Sequence, residues 1–165
     1  MSYIKKSIHY GSHYIDKVDI KGIQNVLKSH FLTQGPLQEK FENKLHKYFG
    51  AKHVVSCSSG TSAIHLAMLS LNIKKNDIVL MPVINFISAY NISHMMGCKI
   101  YYVDVDEIKG IINYENILNC IKKNNPKKID LIFAMHHGGN VCNLEKINKL
   151  KKNLNLKLLR MPVML

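Results

Sequence analysis

The segment Ser56-Cys57-Ser58-Ser59-Gly60-Thr61-Ser62-Ala63 gathers hydroxyl groups around a glycine, after a short apolar run and before a largely apolar stretch. Gly60 removes the Cβ that would keep a ligand away from the backbone. Thr61 and Ser62 bring hydroxyls beside the N–H groups that a first helical turn leaves unpaired. That combination makes an anion pocket suited to a phosphate. Small polar residues also cap helices without binding anything, and local chemistry alone weighs the two readings equally. The segment has neither the G-K-[ST] of a P-loop nor the G-x-G-x-x-G of a dinucleotide site.

A second segment, Pro82-Val83-Ile84-Asn85-Phe86-Ile87-Ser88-Ala89, puts Phe86 just past a strand end, where an aromatic face can cover a planar ring. Taken alone, a Phe at a strand–helix junction is more often part of the core. His136 and His137 are neighbours on an extended segment and so point to opposite faces. No further His or carboxylate lies beside them at metal-ligand spacing, and no metal site is expected. Asp104, Asp106 and Glu107 read as a solvated loop. Cys57, Cys98, Cys120 and Cys142 form no C-x-x-C. They read as small hydrophobes in a reducing compartment.

The elements that must position these residues alternate. Asp16 is a plausible N-cap for a helix with Ile20, Ile23, Val26 and Leu27 on one stripe, ending near His30. Phe31-Leu32-Thr33-Gln34-Gly35-Pro36 is a turn sequence. A second helix carries Leu37, Phe41, Leu45, Tyr48 and Phe49 and ends at Gly50. Strands are expected at 54–57, 78–81, 100–105, 129–135 and from 156 to 159, with helices at 61–71, 87–96, 114–123 and 144–152. Such strand–helix alternation specifies parallel βαβ units. The fold class is α/β, a mainly parallel sheet with helices on both faces. Ligands of such sheets bind at the carboxyl ends of the strands, which selects Ser58 to Ser62, Pro82 to Ser88, Asp104 to Glu107 and His136 to Asn140 as candidates.

Composition limits the alternatives. The chain has 165 residues, 47% of them hydrophobic, enough for one globular α/β domain or part of a larger one. The longest apolar run, 78–84, is too short to span a bilayer, and the first residues carry no apolar secretory core. A cytoplasmic location without membrane association is expected. The net charge of +12 raises the possibility of a nucleic-acid partner. Yet every basic residue except Arg160 is a lysine, scattered in pairs at helix ends and turns, without an arginine–aromatic recognition pattern. A solvated lysine surface and no nucleic-acid role is the preferred reading; a small basic nucleic-acid-binding domain is the distant alternative.

Taken together, Tyr14-Ile15-Asp16, Phe31 to Pro36, Ser58 to Ala63, Pro82 to Phe86, Val103-Asp104-Val105-Asp106 and His136-His137-Gly138-Gly139, in this order and spacing, resemble the DegT/StrS-type sugar aminotransferases. This is a pyridoxal-phosphate (PLP) family of fold type I. The resemblance runs from about residue 10 to 159 and is greatest to enzymes that aminate UDP-4-keto-6-deoxy-N-acetylhexosamines. It implies that Gly60, Thr61 and Ser62 grip the cofactor phosphate and that Phe86 stacks on the pyridine. It also implies that Tyr10, His30, Phe31, Leu32 and Thr33 touch the nucleotide-sugar, that glutamate is the amino donor, and that the full-length enzyme is a homodimer. Asn85 stands where the family usually has Thr, and Gly139-Asn140-Val141 replaces a Gly-Gln-Pro type of sequence.

The family's chemistry also needs a carboxylate facing the pyridine nitrogen and a lysine for the Schiff base. The sequence offers neither at the matching positions. The chain therefore reads as residues 1–165 of an incomplete PLP-binding large domain, with 1–36 an N-terminal arm and helix and 52–159 the alternating core. Residues 160–165 read as an out-of-frame tail: codons for an Asp-Ala-Cys-His strand, shifted by one nucleotide, encode the Met-Pro-Val-Met of 161–164. Such a fragment is expected to be inactive alone. A PLP-dependent sugar dehydratase of the same family is the alternative reading.

Overall fold

The computed structural model describes residues 11–163, so Tyr10 lies outside the described residues. The chain divides after Ser56 into two compact units. The first unit holds helices α1 (Lys17–Leu27) and α2 (Pro36–Phe49). The expected cap of α1 forms as a complete capping box. Asp16 accepts from the N–H groups of Val18 and Asp19, and the Asp19 carboxylate accepts from the Asp16 N–H. Pro36 opens α2, and Gly50 closes it in the left-handed conformation that glycine adopts without strain. No residue of either helix is buried.

The expected strand at 54–57 does not form. Its two valines favour extended backbone, but the segment finds a side chain instead of a neighbouring strand. The Ser56 N–H and hydroxyl both donate to the Glu42 carboxylate, at 2.8 and 2.7 Å. These bonds, the backbone one foremost, hold the Glu42 carboxyl below the ordinary glutamate range.

The second unit is the α/β part. Helix α3 (Gly60–Ser70) leads to β1 (Ile78–Pro82), α4 (Ile87–Met95), β2 (Lys99–Val103), α5 (Tyr114–Asn124), β3 (Leu131–His137), α6 (Leu144–Asn153) and β4 (Lys157–Val163). The four strands are parallel in the order β2-β1-β3-β4. Alternate residues feed two cores. Val79, Met81, Leu131, Phe133 and Met135 pack with Ile64 and Met68 of α3 and Ala89 and Ile92 of α4. Leu80, Ile132 and Ala134 pack with Ile117 of α5 and Ile147 and Leu150 of α6. Both sheet faces are covered, which explains why the strands read as continuous apolar runs.

Asp130 ties the strand starts together. Its N–H donates to the Ile78 carbonyl, its own carbonyl accepts from the Lys157 N–H, and its carboxylate accepts from the Ile78 N–H at 3.0 Å and from the Lys128 ammonium. Burial opposes ionisation of Asp130 most strongly. The Lys128 and Ile78 hydrogen bonds, with the Lys128 and Lys157 charges, outweigh it and hold the carboxyl below its ordinary range.

The last strand, whose beginning the sequence places at 156–159, continues to Val163. Ladder pairing to β3 continues through Arg160–Ala134, Met161–Met135, Pro162–His136 and Val163–His137. Residues 160–163 are therefore part of strand β4. The open side of β3 accepts any extended backbone, and Pro162 is tolerated on an outer strand of the described sheet.

Candidate cofactor site

Helix α3 begins with Ser59 as N-cap. Its hydroxyl accepts from the Ser62 N–H at 3.2 Å, while the Ser59 carbonyl accepts from the Ala63 N–H. The first of these satisfies one of the donors that a helix start exposes; the second is the first regular bond of the helix. The N–H groups of Gly60 and Thr61 have no protein acceptor among the described residues. A Cβ added at Gly60 would meet no heavy atom within 4 Å, so the space beside this turn is open. The Ser62 hydroxyl lies 3.0 Å from that of Ser59 and 3.2 Å from that of Ser58. Ser62 is thus part of the cap and does not line the cleft described next.

A cleft of about 710 Å³ opens on this turn, within the range of about 300–1,000 Å³ typical of small-molecule sites. One wall is α3, through Ser59, Gly60, Thr61, Ala63, Ile64 and Ala67; a second is the start of α4, through Phe86 and Ser88. The third is β4, through Leu159, Arg160, Met161 and Pro162. Gly60, Thr61 and Phe86, from separate segments of the sequence, share one cavity.

Phe86 occupies the N-cap of α4 and supplies no capping hydrogen bond, where Ser, Thr, Asp or Asn is favoured. Its ring is 55% exposed. A half-exposed aromatic at a position that prefers a small polar residue is a costly choice for packing alone, and this one borders the cleft.

Beyond the tips of β1 and β3 the strand order reverses, and such switch points are where open α/β sheets bind ligands. Asn85 and His137 stand there. Both amide atoms of Asn85 and the Nδ1 of His137 are buried without a protein partner among the described residues. Polar atoms in that condition call for a water or a ligand group. His136 is differently occupied: its Nδ1 accepts from the Cys142 N–H at 3.3 Å. Burial, followed by the charge of Arg160, pushes its pKa down. The turn after β3 requires both Gly138 and Gly139, with φ of 53° and 79°. A two-residue connection with positive φ at both positions is glycine territory. Among the described residues no three His, Cys, Asp or Glu side chains group as metal ligands.

His30, Phe31, Leu32 and Thr33 form the exposed connection between α1 and α2 in the first unit. Phe31 borders a separate groove of about 410 Å³ with Gln34, Gly35, Pro36 and Glu39. Gly35 is needed there: a Cβ would come within 2.9 Å of the Phe31 Cβ. Sequence reasoning missed the Arg160–Pro162 part of the β4 wall, whereas Ser59 and Ser88 lay within the segments it selected. Ser59 carried a readable signal, three residues before Ser62 at a helix start.

The sequence profile of the DegT/DnrJ/EryC1/StrS aminotransferase family matches residues 13–160. The chain belongs to this family. It is 33% identical over 152 residues to a UDP-4-amino-4,6-dideoxy-N-acetyl-beta-L-altrosamine transaminase of Campylobacter jejuni, covering 92% of this chain and 40% of the relative. Among solved structures, an aminotransferase from Psychrobacter cryohalolentis superposes with a TM-score of 0.82 at 23% identity, over 89% of this chain and 37% of the other. The Escherichia coli GDP-4-keto-6-deoxy-D-mannose-3-dehydratase, solved with bound hydrated PLP, superposes with a TM-score of 0.81 at 28% identity, over 90% of this chain and 39% of the other. The four-stranded parallel sheet is thus the fold type I arrangement of DegT/DnrJ/EryC1/StrS family members. The chain spans 33–40% of the length of the curated relatives it matches.

Proposed function

We propose that this chain is the cofactor-holding portion of a PLP-dependent aminotransferase that moves an amino group from L-glutamate to a nucleotide-linked 4-keto-6-deoxy sugar for surface glycan biosynthesis. The observation that carries this is the meeting of Gly60, Thr61 and Phe86 in one cleft. The residues present fit the phosphate and one ring face of PLP. Two unpaired N–H groups at a helix start favour an anion, the open space at Gly60 admits it, and the Phe86 ring offers a flat apolar surface.

When bound, PLP supplies an aldehyde that carries the amino group and a ring that accepts electron density. The chain's own contributions are positional. The first turn of α3 fixes one end of the cofactor, Ser59 keeps that turn formed, and Phe86 sets the plane of the ring. The apolar residues of α3 and β4 exclude water from its rim. Tyr10 and His30 to Thr33 are proposed to meet the nucleotide-sugar, by resemblance to the family. The working enzyme is proposed to be a cytoplasmic homodimer.

A second reading has one specific support, the likeness at 28% identity to the E. coli dehydratase. In it the same cleft serves removal of a sugar hydroxyl, with a histidine in place of the Schiff-base lysine.

The reading is tested by diffraction from crystals of the chain soaked in pyridoxamine 5′-phosphate. Density for the phosphate at Gly60 and Thr61, with the ring against Phe86, is expected; density elsewhere, or none, overturns it. Incubated with PLP, a UDP-4-keto-6-deoxy sugar and L-glutamate, the chain alone is expected to give no turnover. Turnover comparable with a full-length enzyme would refute the inactivity.

A further inference from the structure

Helix α4 buries four residues, Ser88, Ala89, Ile92 and Ser93. Ser88 and Ile92 are one turn apart and share a face. Ile92 packs against α3 and the sheet, in one cluster with Ile64 and Met68. The Ser88 side chain therefore points inward, into the layer that holds the cleft. It lines that cleft at 5% exposure.

The two buried serines of this helix use their hydroxyls differently. The Ser93 hydroxyl donates to the Ala89 carbonyl at 2.8 Å, a common way for a helix to satisfy a buried serine. The Ser88 hydroxyl has no hydrogen-bond partner among the described residues, and unlike the enclosed amide of Asn85 it stays open to the cavity. Alanine is the better helix former and would fill the same space. An inward hydroxyl without a protein partner is accounted for by a polar group that occupies the cleft.

In the cofactor reading, the first turn of α3 already holds the phosphate and the Phe86 ring covers one face of the pyridine. Ser88 follows Phe86 by two residues at the same helix start, which leaves it the edge of the ring. We infer that Ser88 is a further cofactor-contacting residue, its hydroxyl hydrogen-bonding to a polar group on the edge of the bound ring. This rests on the cofactor reading of the cleft and deepens it. The start of α3 gives affinity for the phosphate. Ser88 gives preference for a ring that carries hydrogen-bonding groups over a hydrocarbon ring of the same shape.

The test compares pyridoxamine 5′-phosphate with benzyl phosphate. Both carry a phosphate on a methylene attached to a six-membered aromatic ring, and only the first has polar groups on that ring. Affinities of both compounds for the unmodified chain and for Ser88→Ala are measured by titration calorimetry. The preference for pyridoxamine 5′-phosphate over benzyl phosphate is expected to shrink about three- to tenfold in Ser88→Ala, the range of one neutral hydrogen bond. The urea midpoint of the variant should hold or rise, because no protein hydrogen bond is lost. An unchanged preference, with or without a lowered midpoint, overturns the inference; with pyridoxamine 5′-phosphate still bound, it leaves the cofactor reading standing. Absence of binding of either compound to the unmodified chain overturns both.

Discussion

Ser59 and Ser62 are joined twice at the start of α3: the Ser62 N–H donates to the Ser59 hydroxyl at 3.2 Å, and the two hydroxyls lie 3.0 Å apart. The pair consumes the polar capacity of both side chains in building the helix start, which leaves the backbone of Gly60 and Thr61 to a ligand. Ser59→Ala is therefore expected to lower stability by about 1 kcal/mol, the usual cost of losing an N-cap. Gly60→Ala, which meets no protein atom, should leave stability unchanged or slightly raised while weakening binding of pyridoxamine 5′-phosphate. Urea denaturation and calorimetric titration of the two variants check this division of labour.

Phe86 should behave in the opposite sense to a core residue. Replacing it with Ser supplies the missing cap of α4, so Phe86→Ser is expected to hold or gain up to about 1 kcal/mol in stability. The same change removes the ring surface, and cofactor affinity should fall about tenfold, the equivalent of about 1.4 kcal/mol. A loss of stability comparable to truncating a buried phenylalanine, about 3–5 kcal/mol, would place Phe86 in the core instead.

Asp130 predicts an acid-sensitive fold. Its carboxyl is held below the ordinary aspartate range, so its contribution is fully present above the unfolded value and is lost as pH falls through the lowered folded value. Stability measured by denaturant should decline as pH drops from about 5 into the acid range. Asp130→Ala should reduce stability by about 1–3 kcal/mol, because the Ile78 N–H loses its partner. Asp130→Asn, whose amide oxygen still accepts from Ile78, should cost less and flatten the acid limb.

Gly35 makes the α1–α2 connection testable without a ligand. A Cβ there collides with Phe31, so Gly35→Ala should shift Phe31 and destabilise the first unit by about 1–3 kcal/mol. Phe31→Gly, which removes the colliding Cβ, should recover part of that loss when combined with it, whereas Phe31→Ala, which keeps the Cβ, should not; a double-mutant cycle measures the difference.

Much of this arrangement was legible in the sequence because local signals and tertiary demands agree. The Asp16 cap, the Pro36 and Gly50 bounds of α2 and the two-faced strands all follow from residue types acting over a few positions. The misread segment, 54–57, failed because the decisive partner is Glu42, fourteen residues away on α2, while two valines locally favour a strand. The β4 wall was hidden for a different reason. Its extent depends on β3 offering an open ladder edge, a property of strand order and not of the residues at 160–163. Phe86 was ambiguous by residue type alone. Its exposure and its place at an uncapped helix start distinguish it from core.

The central claim is that the first turn of α3 holds the phosphate of a pyridoxal-type cofactor, and one comparison addresses it most directly. Calorimetric titration of the chain with pyridoxamine 5′-phosphate, set against pyridoxamine without the phosphate, should show saturable binding of the first. The second should bind at least about a hundredfold more weakly, a difference of about 2.7 kcal/mol. Equal affinity for the two compounds, or no binding of either, would contradict the account.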